Sequence, residues 1–280
     1  MVLRVFFFAF LLLFGCSEYD FSNPLDPNNN LCGGEMFSPI NKRCGAGNVI
    51  ETRCGSEWYN KKTHFCTPDG VEELGNSILD FRDDKIYKTV QIGTQTWMAE
   101  NLNYDVPSNT TDVCYDNNAS NCATYGRLYN WATAMGLNSN CNNSICANQV
   151  QSKHRGICPE GWHIPSYDEW SQLFDYVDVG DGGVAGKHLK AKIGWSRCGP
   201  SSSGSFYSCE DTHGFSALPG GYGNSNGRFY DVGNNGNWWD ANESYMCQCA
   251  GLQNMRYDSE LARGYINEKT SLYSVRCVQD

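Results

Sequence analysis

Three features of the sequence predict an α+β fold held by disulfides, with two or three short helices, a small mainly antiparallel sheet and long loops. The first lies at 166–177. There Ser166 and Glu169 stand at capping-box spacing, and Trp170, Leu173, Phe174 and Val177 follow at the i, i+3, i+4, i+7 interval of one helix face. The second is the region beyond residue 215, where short β-type segments alternate with Gly and Asn turns; helices early and strands late segregate the two element types. The third is composition: 280 residues contain 15 Cys, 29 Gly and 28 Asn. That mixture is loop-rich, and it argues against both a helical bundle and a reduced cytosolic setting.

The elements follow in chain order. Residues 1–15 carry one early charge, Arg4, and then an apolar run too short for a hydrocarbon core of about 30 Å; this is the pattern of a secretory signal peptide. LFGC at 13–16 resembles a bacterial lipobox, which makes Cys16 the expected lipidated residue. A signal cut elsewhere, with Cys16 an ordinary cysteine, is the alternative. Setting Cys16 aside leaves an even number of cysteines, which can pair completely. Ser17 after the lipidated cysteine resembles lipoproteins sorted to the outer membrane. The expected location is therefore the outer membrane or cell surface, through an anchor of more than one acyl chain. Residues 16–31, with Pro24, Pro27 and no periodicity, read as a tether.

Residues 32–66 hold a twofold repeat. CGGEMFS from Cys32 and CGSEWYN from Cys54 align without gaps, and each closes on a further cysteine, Cys44 and Cys66. A segment this short cannot bury enough surface to fold alone. The simplest bridges are Cys32–Cys44 and Cys54–Cys66, with interleaved pairing open; the separations are too long for a zinc knuckle. Residues 67–78 read as a polar linker into a main domain at 79–280. Within it, 86–98 predicts a hairpin turning at Gly93. Residues 127–136 predict a short helix burying Leu128, Trp131 and Met135, and 184–192 a third helix. Strands are expected at 215–219, 228–230, 237–240, 244–248 and 271–278.

A net charge of −10 repels phosphate backbones, so nucleic acid is not an expected partner. The sequence has no nucleophile elbow, Walker loop or dinucleotide fingerprint. Its five His, at 64, 154, 163, 188 and 213, are not at ligand spacing. No enzyme activity, cofactor or metal is expected, and His163 and His213 read as core residues. The remaining signal is aromatic. Tyr and Trp offer flat area at little rotamer cost, and amides or carboxylates nearby can reach hydroxyl groups. The expected ligand-binding residues are Tyr222, Tyr230, Trp238, Trp239, Asp240, Asn242 and Tyr245. Adjacent side chains on a strand leave opposite faces, so one of Trp238 and Trp239 is expected in the core and the other toward solvent.

Five blocks in order carry a family resemblance: VQIGTQTWMAENLNY at 90–104, YGRLYNWATAM at 125–135, GICPEGWHIPS at 156–166 with Glu169-Trp170, GFSALPGG at 214–221 and SVRCV at 274–278. They resemble the Fibrobacter succinogenes major paralogous domain. The resemblance implies a C-type-lectin-like fold, more distantly similar to formylglycine-generating-enzyme domains, whose copper-binding cysteine spacing is not reproduced here. Lectin-like folds tie an early element to the last strand, which implies Cys158–Cys277. Local closure then suits Cys114–Cys122, Cys141–Cys146 and Cys198–Cys209. Cys247 and Cys249 remain, a small and reducible ring. Lectin calcium motifs are absent: there is no Glu-Pro-Asn, and Trp239-Asp240-Ala241-Asn242 is not Trp-Asn-Asp, although Asp178, Asp181, Asp231 and Asp240 have suitable oxygen chemistry. The expected function is a non-catalytic surface lipoprotein that binds a glycan or a surface protein. The alternatives are a structural or protein-interaction module of the envelope, and an oxidoreductase using Cys247/Cys249.

Overall fold

The computed structural model describes residues 31–32, 35–36, 42–45, 49–107, 112–178, 180, 183–198 and 207–280. Cys16, the signal peptide and most of the tether lie outside the described residues, as does Asp181. The chain divides between Leu79 and Asp80 into two compact units.

In the first unit, β1 (Lys42–Cys44), β2 (Ile50–Cys54) and β3 (Glu57–Tyr59) form an antiparallel meander, and β4 (His64–Thr67) pairs with β5 (Gly70–Glu73). Their faces are mostly polar, so a covalent staple supplies what burial cannot: Cys54 is bridged to Cys66. Cys44 is also disulfide-bonded, while the side chain of its expected partner Cys32 lies outside the described residues. Residues 67–78 hold β5 and the first two residues of the strand Ser77–Asp80. The signal for that turn is local: the Thr67 hydroxyl accepts from the Asp69 N–H at 3.2 Å and donates to the Gly70 carbonyl at 3.0 Å, folding the chain back on itself.

The second unit opens with β6 (Lys85–Ile92) and β7 (Gln95–Met98), a hairpin that turns at Gly93 with φ +60°. A helix not anticipated from the sequence, α1 (Ala119–Tyr125), follows. The helix expected at 127–136 is shorter. Leu128–Tyr129 pairs as a strand with Asp112–Val113, and only α2 (Trp131–Ala134) is helical. Asn130 sets that start, since its extended backbone lets its side-chain oxygen cap the Thr133 N–H at 2.9 Å. After β8 (Trp162–His163) comes α3 (Tyr167–Val177) with the reciprocal Ser166/Glu169 capping box. Next, α4 (Ala185–Leu189) stops at Lys190. The Lys190 amine is drawn inward to donate to the Arg256 and Ser259 carbonyls at 3.1 and 2.7 Å, and burial pushes it down to about 8. The described residues thus hold four α-helices.

The remaining strands are β9 (Gly220–Gly223), β10 (Phe229–Val232), β11 (Asn235–Ser244), β12 (Cys249–Arg256), β13 (Ala262–Glu268) and β14 (Val278–Gln279). The first two pair with each other, and β11, β12 and β13 form a second antiparallel sheet in that order. The segment 215–219 makes only an isolated bridge, Lys190 to Ala217. Of residues 244–248, Ser244 ends β11 and 245–248 are the turn between β11 and β12 rather than a strand. In the third sheet β14 lies between β8 and β7, with β6 beyond β7, so that Val278 pairs with both His163 and Trp97. Cys158–Cys277, Cys114–Cys122, Cys141–Cys146, Cys198–Cys209 and Cys247–Cys249 are all bridged.

The core gathers Trp97, Trp170, Phe215 and Val278 from four of the sequence blocks. Trp97 of β7 lies 4.7 Å from Trp170 of α3 and 5.7 Å from Phe215, ring centre to ring centre, and Trp170 lies 6.1 Å from Trp238. Leu173, Val177, Leu189, Met255 and Val278 fill the space between. A fully buried Arg276 threads this core, its guanidinium 4.4 Å from the Phe215 ring. It donates to Asn101 Oδ1 at 2.7 and 3.1 Å and to the carbonyls of Phe215 and Ser216. Arginine is held here by a fork of neutral acceptors, each satisfying a donor that burial would otherwise strand.

Candidate functional site

The strand β11 carries most of the expected binding residues, and it buries both of its tryptophans. Trp238 and Trp239 are each 0% exposed. Their side chains do leave opposite faces, but both faces are covered. Trp238 enters the core and donates from Nε1 to Asn101 Oδ1 at 2.8 Å. Trp239 donates to the Tyr129 carbonyl at 2.7 Å and packs edge-on against Tyr273 at 4.7 Å. Neither indole is available to a ligand, which corrects the expectation that one faces solvent. Tyr222 and Tyr230 lie elsewhere, stacked on one another at 5.3 Å, with Tyr222 continuing to Tyr273 at 5.9 Å. They are the outer end of an aromatic ladder rooted in buried Trp239. Tyr245, 76% exposed, stands with Met246 at the tip of the β11–β12 turn. The expected set is therefore split among the core, a ladder and a turn tip, and only Asp240 and Asn242 meet in a concave place.

That place is an open hollow of about 590 Å³ on the sheet of β11, β12 and β13, lined by Tyr167, Asp240, Asn242, Glu243, Ser244, Gly251, Gly264, Tyr265 and Ile266. Sequence dictates its shape. The β11–β12 pairing slips between Trp239 and Glu243, and such a bulge re-aims the side chains within it. Gly251 lies against the Asp240 carboxylate so closely that a Cβ there would stand 2.2 Å from Oδ1 and 2.4 Å from Oδ2. Gly264 faces the Tyr167 ring, where a Cβ would stand 3.1 Å from Cε2. Two strands thus present bare backbone as a floor. Tyr167 and Ile266, each about half exposed, flank it; Tyr265, paired with Leu252, contributes backbone and turns its ring to the opposite face of the sheet, toward Arg256 and Arg263.

Polar groups fix the base. Asp240, 1% exposed, accepts from the Asn242 N–H at 2.9 Å on Oδ1 and from Gln253 Nε2 at 2.9 Å on Oδ2. Burial strips water from the carboxylate and raises it to about 6; those two donors offset part of the rise. Asn242 is exposed, and its Oδ1 accepts from the Tyr167 N–H at 2.7 Å, which ties the start of α3 to the bulge. Glu243 is committed inward. It is ion-paired with buried Lys269 and accepts from the Cys146 N–H at 2.8 Å. Lys269 in turn lies 5.2 Å from the Trp131 ring centre.

Sequence reasoning missed Tyr167, Gly251, Gly264, Tyr265 and Ile266. Tyr167 opens the capped helix outside its apolar stripe, a weak but legible sign of exposure. The rest lie on β12 and β13, which lack clear alternation and gave no strand signal. Cys247–Cys249 is partly exposed and lines a separate hollow with Asn142, Asn143, Gln248, Glu268 and Thr270. Among the described residues no cluster of His, Cys, Asp and Glu is placed to hold a metal ion, and no helix is long and apolar enough to cross a membrane.

Compared with curated proteins and with solved structures, the chain matches none. Against family descriptions it matches the Fibrobacter succinogenes major domain over residues 90–279. That span takes in all five sequence blocks, the tryptophan core with Arg276, and the whole lining of the hollow. The chain belongs to the Fibrobacter succinogenes major domain family.

Proposed function

We propose that this protein is a non-catalytic surface lipoprotein, anchored through Cys16, whose second unit is a C-type-lectin-like domain that binds carbohydrate in the hollow beside Asp240. One observation carries the reading: a bare-glycine floor flanked by the exposed Tyr167, with a carboxylate at its base and an exposed amide on its rim. A sugar ring stacks its C–H face on an aromatic ring while its hydroxyls take hydrogen bonds from side groups, and this hollow offers both kinds of contact. Asn242 is exposed, and among the described residues its Nδ2 has no hydrogen-bond acceptor while its Oδ1 is engaged.

The test is affinity electrophoresis of the full chain on a panel of soluble plant and bacterial glycans, with Tyr167→Ala alongside. Retardation that Tyr167→Ala abolishes supports the reading, and free migration on every glycan removes it.

A second reading, a protein-interaction module of the envelope, draws on a different observation. Tyr245 and Met246 project from the turn tip, 76% and 94% exposed. Crosslinking on intact cells followed by pull-down, with Tyr245→Ser/Met246→Ser as control, separates it from the first.

A further inference from the structure

The base of the hollow carries a charge that the protein itself leaves unanswered. Among the described residues no lysine, arginine or histidine forms an ion pair with Asp240; its oxygens receive only one backbone N–H and the neutral amide of Gln253. The groups packed around it do not alter this. From β11, Glu243 is taken by Lys269. From α2, the Trp131 indole donates to the Asp240 backbone oxygen at 3.1 Å rather than to its carboxylate. From α3 and β13 come Tyr167 and Ile266, and from β12 the glycine that leaves the carboxylate room. A buried carboxylate without a counter-ion, beside the Tyr167 ring, complements a compact cation: the ring attracts ammonium, and the carboxylate pairs with it in a place poor in water.

We propose that the hollow selects a primary ammonium group carried on a sugar ring, an amino sugar, with Asp240 as its counter-ion. This rests on the carbohydrate reading above and names the class of sugar. The bare floor and the Asn242 amide fit a flat hydroxylated ring, whereas a lysine side chain would use the carboxylate and leave the floor empty.

The test compares two oligosaccharides with the same backbone, short chito-oligosaccharides with free amines and their N-acetylated counterparts, by calorimetric titration of the full chain at pH 7 and pH 5. At pH 7 the free-amine oligomer should bind about tenfold tighter or more, the scale of one desolvated charge pair. Asp240→Asn should abolish that preference, bringing the two affinities within about twofold of each other whatever loss they share. At pH 5 the carboxyl, raised to about 6, is mostly protonated. The preference should shrink there although the amine is more fully charged. That sign separates the site from the general pull of a protein with net charge −10, which Asp240→Asn would barely change.

Tyr167→Ala, at the exposed start of α3, weakens both oligomers and serves should Asp240→Asn lose the native fold. Equal affinity for the two oligomers overturns the ammonium proposal while the glycan reading stands. A preference that survives Asp240→Asn, or tighter binding of a lysine peptide than of the free-amine oligomer, also overturns it. No binding of either oligomer by a folded chain removes the proposal, and the glycan panel decides whether the broader reading goes with it.

Discussion

Replacing Gly251 by alanine tests how the hollow is built. A Cβ at that position would stand 2.2, 2.4 and 2.6 Å from Oδ1, Oδ2 and Cγ of Asp240, separations that real Cβ atoms essentially never show. The carboxylate must then move. Overpacking of this kind costs about 1–3 kcal/mol, and breaking one hydrogen bond to a charged, buried carboxylate costs about 1.5–3 kcal/mol. Alanine recovers about 0.5–1 kcal/mol of backbone freedom within a strand. The net expectation is a loss of about 3 kcal/mol, a fall in Tm of about 6–12 °C for a unit of this size. Denaturant unfolding with the disulfides intact measures it, in the native background and in Asp240→Ala. With the carboxylate gone the methyl group has space, so the same Gly251→Ala change should be neutral or slightly stabilising, giving a coupling of about 3 kcal/mol. An equal cost in both backgrounds, or no cost in the native one, would refute the steric account of the floor.

Other outcomes follow from the same structure. His163 is held between Glu169 and Asp280 at 2.8 and 2.7 Å; burial lowers its affinity for a proton, but the two carboxylates outweigh burial and the value ends above 6.5. Its contribution to stability is complete below 6.5 and is lost as pH rises through the folded value, so His163→Gln should flatten the alkaline side of a Tm–pH profile. Burial raises Glu169, but the hydrogen bonds from His163 and Ser166 outweigh it and leave the value below 4.5. Its contribution is therefore present above 4.5 and lost as pH falls, and Glu169→Gln should flatten the acid side. Trp238→Ala should cost about 3–5 kcal/mol by opening a core cavity, whereas Tyr265→Ala should change stability by less than about 0.5 kcal/mol; matched melts of the two variants distinguish core from surface. Replacing Cys247 and Cys249 by serine should cost about 2 kcal/mol, since their loop is tiny, against about 5 kcal/mol for Cys158 and Cys277, 119 residues apart. Equal losses would contradict the loop-closure account.

Legibility in the sequence tracked how local each determinant was. The capping box at Ser166 and the turn at Gly93 depend on a few neighbouring residues, and both form where the pattern places them. The helix at 127–136 was overextended because Leu128 and Tyr129 fit an apolar helix face equally well, and only the backbone of Asn130 and the pairing with Asp112–Val113 decide between strand and helix. β12 and β13 were illegible. Gly251, Gln253, Gly264 and Asn267 interrupt any alternation, and these strands are held by registry with β11 rather than by their own propensity. The same glycines that hid the strands make the floor of the hollow. The binding residues were half legible for a related reason. Composition pointed to the aromatic-rich β11 region, but burial of a given indole is set by what covers each face of its strand, and those partners, Asn101, Tyr129 and Tyr273, lie far away in sequence.

The position of β14 bears on how the chain can be made. The final strand is an interior member of its sheet, and Asp280 N donates to the Gly161 carbonyl at 3.1 Å. Until the last few residues are available, Trp97 and His163 lack their common partner and Cys158 lacks Cys277. Assembly of this sheet therefore waits for residues 277–280, and deleting Val278 and Gln279 should remove the keystone of the sheet rather than fray an edge.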